Sequence, residues 1–129
     1  MSIPSDCRYS KEHEWAKLED GKIRVGISDY AQQELGDIVF IELPEVGRSV
    51  KKGETFANVE SVKAVSDIYA PVDGTIAEIN ATLESKPEQV NTEPHNGGWL
   101  VVITPDDPSQ LDELLGAEEY QSFVAELSK

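Results

Sequence analysis

Apolar and polar residues alternate at short intervals through most of the chain, which predicts a protein built mainly from β-strands. Residues 14–18 and 22–27 are two such runs, and they flank the tripeptide Glu19-Asp20-Gly21. Asp-Gly between two apolar-bearing runs is a hairpin signal. Further strands are predicted at 37–43, 54–61, 64–70, 75–80 and 99–103. The strand at 37–43 is apolar on both faces, which predicts a central place in its sheet.

Helical signals are confined to one short internal segment and to the end of the chain. Residues 29–35 are predicted to form a helix that Ser28 or Asp29 caps and Gly36 ends. Residues 84–97 are rich in Pro, Glu, Asn and Gly and predict a loop. A helix-start cluster at 105–109 precedes apolar residues at helical spacing, which predicts a helical cap over about 107–127. These apolar residues are Leu111, Leu114, Leu115, Tyr120, Phe123, Val124 and Leu127.

The length of 129 residues suits one domain, and neither a low-complexity segment nor a domain-sized linker interrupts the chain. We therefore predict a single domain over residues 1–129. Several short strands at close spacing favour a sandwich or barrel. Trp15, Trp99 and Phe40 are predicted to lie in its core.

Net charge and cysteine content exclude several classes of function. The chain has 11 basic and 25 acidic side chains, for a net charge of −14, and most of the excess follows residue 64. Such a polyanion is poorly suited to nucleic acids and anionic membranes. The single cysteine, Cys7, excludes an internal disulfide. No apolar run approaches the ~20 residues of a membrane span. The start of the chain shows no targeting signal, which favours a bacterial-type cytoplasmic protein over a mature mitochondrial one.

Few residues could support metal binding or catalysis. Glu12, His13 and Glu14 are adjacent, but neighbouring strand residues point to opposite faces, so these three do not converge on one ion. We therefore predict no metal site. A catalytic protein that uses Cys7 or His13 is an alternative of a different class, and it predicts turnover by the isolated chain.

The most informative stretch is 59–67, where two predicted strands meet with almost no loop between them. Lys63 stands at the join, and a hairpin apex projects its side chain into solvent. Gly, Asn or Asp would be expected in an exposed turn, yet the neighbours are Val62 and Ala64. A solvated turn lysine is the simple explanation. An exposed apolar collar around one amine instead indicates that another protein recognises this turn.

Several segments in a fixed order make the chain resemble the glycine cleavage H-protein family, whose members are lipoyl carriers. The resemblance runs from about Tyr9 to Phe123, and among its segments are 12–15 (EHEW), 42–47 (ELPEVG), 60–64 (ESVKA), 69–72 (YAPV) and 97–99 (GGW). Biotin carrier domains flank their modified lysine with methionines, and lipoyl domains of 2-oxoacid dehydrogenases usually have Asp before theirs. In this chain Lys63 is instead flanked by Val62 and Ala64. The resemblance implies a mainly β, lipoyl/biotinyl-carrier-like flattened barrel-sandwich hybrid with a short internal helix and C-terminal helices.

The resemblance also implies a cofactor, its attachment site and a set of partners. It implies that Lys63 carries lipoate as an amide, that Val62 and Ala64 are recognised beside it, and that the chain is a carrier and not an enzyme. The arm would take the aminomethyl group of glycine from a pyridoxal-phosphate glycine decarboxylase (P protein) to a tetrahydrofolate-dependent aminomethyltransferase (T protein). Dihydrolipoyl dehydrogenase (L protein) would then reoxidise it. Lipoyl- or octanoyl-attaching enzymes are further implied partners, and relay of lipoyl groups between carriers is a second implied role.

The family folds its loaded arm into a surface cleft, and this resemblance implies four cleft residues here. They are Glu14, Asp67, His13 and Glu12. Glu14 and Asp67 are implied to hold the cationic amine by charge-assisted contacts. The family often has Ser where this chain has Glu12, so a carboxylate replaces a hydroxyl. From the residues alone, Glu14 and Asp67 are equally well explained as solvated acids at a strand edge.

Overall fold

The computed structural model describes residues 2–127, which form nine strands in two antiparallel sheets. The strands are β1 Arg8–Tyr9, β2 Glu14–Glu19, β3 Lys22–Ile27, β4 Ile38–Glu42, β5 Ser49–Val50, β6 Thr55–Ser61, β7 Val65–Tyr69, β8 Gly74–Ile79 and β9 Val101–Pro105. The larger sheet has the spatial order β1-β2-β3-β9-β8-β5, and the smaller one has the order β4-β6-β7. This arrangement confirms the prediction of a mainly β fold of the flattened barrel-sandwich type.

The β2–β3 hairpin shows how directly local sequence specifies this fold. Asp20 and Gly21 form its two-residue loop, with φ angles of 51° and 78°. Two consecutive positive φ values are the mark of a type I′ turn, whose twist matches that of the flanking strands. The predicted hairpin is therefore confirmed at its turn and at both strands.

Helices connect some of the strands and follow the last one. They are α1 Asp29–Leu35, α2 Thr82–Ser85, α3 Gln89–Thr92, a 3₁₀ helix at Pro108–Glu113, and α4 Ala117–Leu127. The predicted internal helix is confirmed, and its cap is Ser28, whose Oγ accepts from the Ala31 amide at 3.1 Å. The C-terminal helices are confirmed too, although the first of them, Pro108–Glu113, is a 3₁₀ helix separate from α4. The loop predicted at 84–97 is wrong in part, because α2 extends into it as far as Ser85, and α3 lies within it and buries Val90.

Both sheets contribute to the main hydrophobic core. Val25 and Ile103 from the larger sheet and Ile41, Val59 and Ile68 from the smaller sheet are all buried in one cluster. Full burial of such a side chain stabilises a fold by about 1.5–3 kcal/mol. The sandwich therefore exists because each sheet covers the apolar face of the other.

A second cluster fixes α4 against β1 and β2. Its buried members are Cys7, Tyr9, Trp15, Tyr120 and Val124. The Tyr9 and Tyr120 rings stack with centroids 4.4 Å apart and planes 6° from parallel. Trp15 is fully buried, as predicted, and its Nε1 donates to the Pro94 carbonyl at 2.8 Å. These contacts join the C-terminal helix to the larger sheet.

Two expectations about apolar residues are wrong. The strand at 37–43 is not central, because β4 is an edge strand of the smaller sheet. A bulge between Ile38 and Phe40 breaks the alternation of its side chains, so Val39 and Phe40 are 54% and 49% exposed. Phe40 therefore lies outside the core, and Trp99 is only half-buried.

The limits of the described chain bear on two further expectations. The predicted domain of residues 1–129 includes Met1, Ser128 and Lys129, which lie outside the described residues. Between residues 2 and 127, no helix has the length and apolar character needed to cross a membrane.

Gly26 should be intolerant of any side chain. It pairs with Trp15, and a Cβ on Gly26 would lie 2.7 Å from atoms of that indole ring. We expect Gly26→Ala to lower the free energy of unfolding by about 1–3 kcal/mol through overpacking, measured by urea denaturation. In the double variant Gly26→Ala with Trp15→Phe, the smaller ring leaves room for the new Cβ. The loss of unfolding free energy in the double variant should therefore be less than the sum of the losses in the two single variants. Strictly additive costs would contradict this contact.

Candidate functional site

Ser61 closes the tight turn between β6 and β7. The last strand pair before the turn is Glu60 with Val65. The Ser61 amide donates to the Ala64 carbonyl at 2.8 Å, and the Ser61 Oγ accepts from the Lys63 and Ala64 amides, each at 3.1 Å. One serine thus supplies the bonding that Gly, Asn or Asp usually supplies in a turn. This explains how Val62 and Ala64 can occupy a turn, and it is a role the sequence reading did not assign.

Lys63 is exposed at the apex of this turn, as predicted, and Val62 and Ala64 beside it are also exposed. Its stem passes over Gly36, where a Cβ would lie 3.3 Å from the Lys63 Cε. Gly36 has a φ of 78° and ends α1. The same glycine therefore stops the helix and leaves the surface under the lysine bare.

A short segment at 36–38 anchors the apex to the rest of the fold. The Val62 amide donates to the Asp37 carbonyl at 3.0 Å. The Asn91 side chain holds this segment from the other side: its Oδ1 accepts from the Ile38 amide at 2.8 Å, and its Nδ2 donates to the Gly36 carbonyl at 2.9 Å. Asn91 belongs to α3, which the sequence reading treated as loop, so its contribution was missed.

Glu14 is a buried carboxylate with two bound donors. It is 1% exposed, its Oε1 accepts from the Ser10 Oγ at 2.5 Å, and its Oε2 accepts from the Tyr69 amide at 3.3 Å. Burial raises the pKa of Glu14 to about 7, because a charged carboxylate loses its hydration there. A cation brought against this group would restore favourable interactions for the ionised form.

Asp67 lies on β7, two residues before Tyr69, whose backbone amide donates to Glu14. Alternate residues of a strand point to the same face, so the Asp67 side chain leaves the sheet on the same side as that of Tyr69. Asp67 is exposed. The structure therefore brings Glu14 beside the strand that carries Asp67, with one acid buried and the other in solvent.

His13 and Glu12 occupy different surroundings. His13 has a φ of 72°, and its Nδ1 is 2.8 Å from the Tyr120 hydroxyl, which is itself 2.7 Å from the Ser28 Oγ. Burial lowers the pKa of His13. Its ring thus belongs to a polar network that joins α4 to the start of α1. Glu12 is exposed.

Cys7 is poorly suited to nucleophilic chemistry. It is buried, and burial raises the pKa of its thiol to about 12. Since the thiolate is the reactive form, this thiol is inert near neutral pH. Within residues 2–127, no three His, Cys, Asp or Glu side chains are placed to hold a metal ion.

Comparison with known proteins adds independent information. The family model described as glycine cleavage H-protein matches residues 7–127. A glycine cleavage system H protein of Oceanobacillus iheyensis is 57% identical over 124 residues, covering 96% of this chain and 98% of that protein. The corresponding protein of Bacillus subtilis is 52% identical over 126 residues, covering 98% and 99%. The crystal structure of a glycine cleavage system H protein from Mycobacterium marinum aligns with a TM-score of 0.86 at 42% identity, covering 93% and 97% of the two chains.

The raised pKa of Glu14 should make stability depend on pH. The folded-state pKa of Glu14, about 7, exceeds the ordinary value of 4.5. The protonated Glu14 side chain therefore contributes its full stability below pH 4.5, and this stability is lost as pH rises through 7. The loss amounts to about 3 kcal/mol. We expect the difference in unfolding free energy between wild type and Glu14→Gln to shift by that amount between pH 4.5 and 8, measured by urea denaturation. A difference that does not vary with pH would contradict a buried carboxylate that lacks a cationic partner.

Proposed function

Because the chain belongs to the glycine cleavage H-protein family, whose members act as carriers in glycine cleavage, we propose that it carries its cargo on a lipoyl group attached to Lys63. The observation that carries this proposal is the exposed Lys63 amine, held at a serine-closed apex between two exposed apolar residues. The cargo of this role is the aminomethyl group of glycine.

The residues at the apex fit a lipoyl amide. Lys63 is exposed, so an attaching enzyme can reach its Nζ, and the bare surface at Gly36 leaves the stem free of a neighbouring Cβ. In attachment, the uncharged Nζ forms a C–N bond with the carbonyl carbon of an activated lipoyl carboxylate, the bond to the leaving group breaks, and the amine releases a proton. Lysine stem and lipoyl chain together reach on the order of 12–14 Å from the backbone. When bound, the group would supply a disulfide that the carbon nucleophile left by loss of carbon dioxide from glycine could open, with one sulfur bonding to the carbon and the other leaving as a thiolate.

We further propose that the chain is a protein substrate and not a catalyst. The two residues on which a catalytic alternative depends have structural roles: Cys7 is a buried thiol with a pKa of about 12, and His13 is bonded to Tyr120. The main core draws on both sheets, which supports a single carrier domain over the chain. The proposed partners are the glycine decarboxylase, the aminomethyltransferase, the dihydrolipoyl dehydrogenase and the enzymes that attach lipoyl or octanoyl groups.

Glu14 and Asp67 are proposed to hold the cationic end of the loaded arm. The Glu14 carboxylate lies beside β7 and is poorly solvated. Asp67 is a residue of β7 and is exposed to solvent. A cation between them would gain two charge-assisted contacts, each stronger than a neutral hydrogen bond. A cargo held in this way would be less accessible to water during transfer between enzymes.

Attachment should be specific to Lys63. We expect intact-mass spectrometry of the protein from lipoate-supplied cells to show the addition of one lipoyl amide, and Lys63→Arg to abolish it. Lys51→Arg is the matched control, since Lys51 is also an exposed turn lysine, and it should leave the added mass unchanged. An added lipoyl mass that persists in Lys63→Arg would contradict the assignment.

The two acids should lengthen the lifetime of the loaded protein. We expect Glu14→Gln and Asp67→Asn each to shorten the half-life of the aminomethyl group in water about tenfold, the size of one lost charge-assisted bond. Glu78→Gln is the control, because Glu78 is exposed on the other sheet. Half-lives can be followed by release of formaldehyde and ammonia. Equal half-lives in all four proteins would remove both acids from this role.

A further inference from the structure

Exposed large apolar side chains collect at the apex end of the smaller sheet. Val62 and Val65 are 67% and 66% exposed, and Phe40 is 49% exposed. Strand pairing aligns Phe40 with Glu60, and Glu60 with Val65. Side chains of paired residues share a face of the sheet, so an apolar row with one acid at its centre crosses all three strands beside the turn.

The next row on the same face is acidic at both ends. Glu42 pairs with Asn58, and Asn58 pairs with Asp67. Glu42 and Asp67 are exposed. The face therefore changes along the strands from a row near Lys63, in which two apolar residues flank Glu60, to a row farther away with a carboxylate at each end. The opposite face of the same sheet is in the core.

Selection of one amine explains why such a face is needed. The chain has eight lysines, and an attaching enzyme that reads only an exposed amine could not choose among them. Lys51 and Lys52 also lie in an exposed turn, but the nearest large apolar residues on either side in the sequence, Val50 and Phe56, are buried. The lysine turn at 62–64 differs in having an exposed apolar row on its own sheet.

We propose that the enzyme that acylates Lys63 docks on the outer face of β4, β6 and β7, here called the docking face and formed by Phe40, Glu42, Val62, Val65 and Asp67. This inference rests on the proposed function. The chemistry of the face specifies that of the partner: an apolar contact next to the pocket that takes the lysine, and basic residues farther out to meet Glu42 and Asp67. Apolar contact would supply affinity, and the charges would speed encounter and fix orientation.

The test uses the unmodified full chain with a purified ATP-dependent lipoate ligase and lipoate. Acylation of Lys63 is followed by intact mass, and KM and kcat for the protein substrate are determined. We expect Val65→Ser to raise KM about tenfold with kcat little changed, as for loss of one well-packed apolar contact at an interface. Val46→Ser is the matched control, because Val46 is 60% exposed in the turn after β4 and lies outside the docking face.

Charge reversal provides a second, independent measurement. Glu42→Lys should raise KM at low salt by repelling the basic partner surface, and added salt should reduce the difference from wild type. Glu78→Lys makes the same change on the larger sheet and should have no such effect. Thermal unfolding of each variant verifies that the fold is intact, so a change in KM reports docking.

The outcomes separate this inference from the proposed function. If wild type is never acylated at Lys63, the proposed function fails. If all variants are acylated with the KM of wild type, the proposed function stands and the docking face is wrong. Concentration-dependent dimerisation that Val65→Ser abolishes, with KM unchanged, would assign the face to a second copy of the chain and would also overturn the inference.

Discussion

The hydrogen bonds of Ser61 are the interaction on which the presentation of Lys63 depends. A turn made of Val62, Lys63 and Ala64 has no glycine or asparagine to stabilise it, and Val62 is two-thirds exposed. Ser61 satisfies the amides of the two residues that follow Val62. The turn can therefore keep an apolar collar in solvent and still hold one conformation. An ordered apolar collar is what a partner protein can recognise, because it needs no ordering on binding.

The apex is connected to the far side of the molecule through continuous contacts. The Val62 amide bonds to Asp37, and Asn91 bonds to both neighbours of Asp37. The segment follows α1 directly, whose N-terminal cap, Ser28, contacts the Tyr120 hydroxyl of α4. The C-terminal helix thus does more than cover the sheet. It fixes the N-terminal end of α1, and the C-terminal end of α1 lies under Lys63.

Much of this structure could be predicted from the sequence because local signals were strong. The Asp20-Gly21 turn, the Ser28 cap and the lysine at a strand junction each follow from short-range chemistry. The edge position of β4 could not be predicted, since a bulge alters the alternation that exposes Phe40. Asn91 acts through contacts with residues more than fifty positions away. Such partners follow from tertiary packing and leave no local pattern.

The central claim is that cargo derived from glycine is carried on Lys63 and nowhere else in the chain. The most direct measurement is mass spectrometry of the lipoylated protein after incubation with isotope-labelled glycine and a glycine decarboxylase, with the intact chain cleaved into peptides inside the spectrometer so that the labile group is not lost to water. The account predicts that the labelled one-carbon unit and its nitrogen appear on the peptide that contains Lys63, dependent on the lipoyl group. Label on any other peptide, or no glycine-dependent label on a fully lipoylated protein, would contradict it.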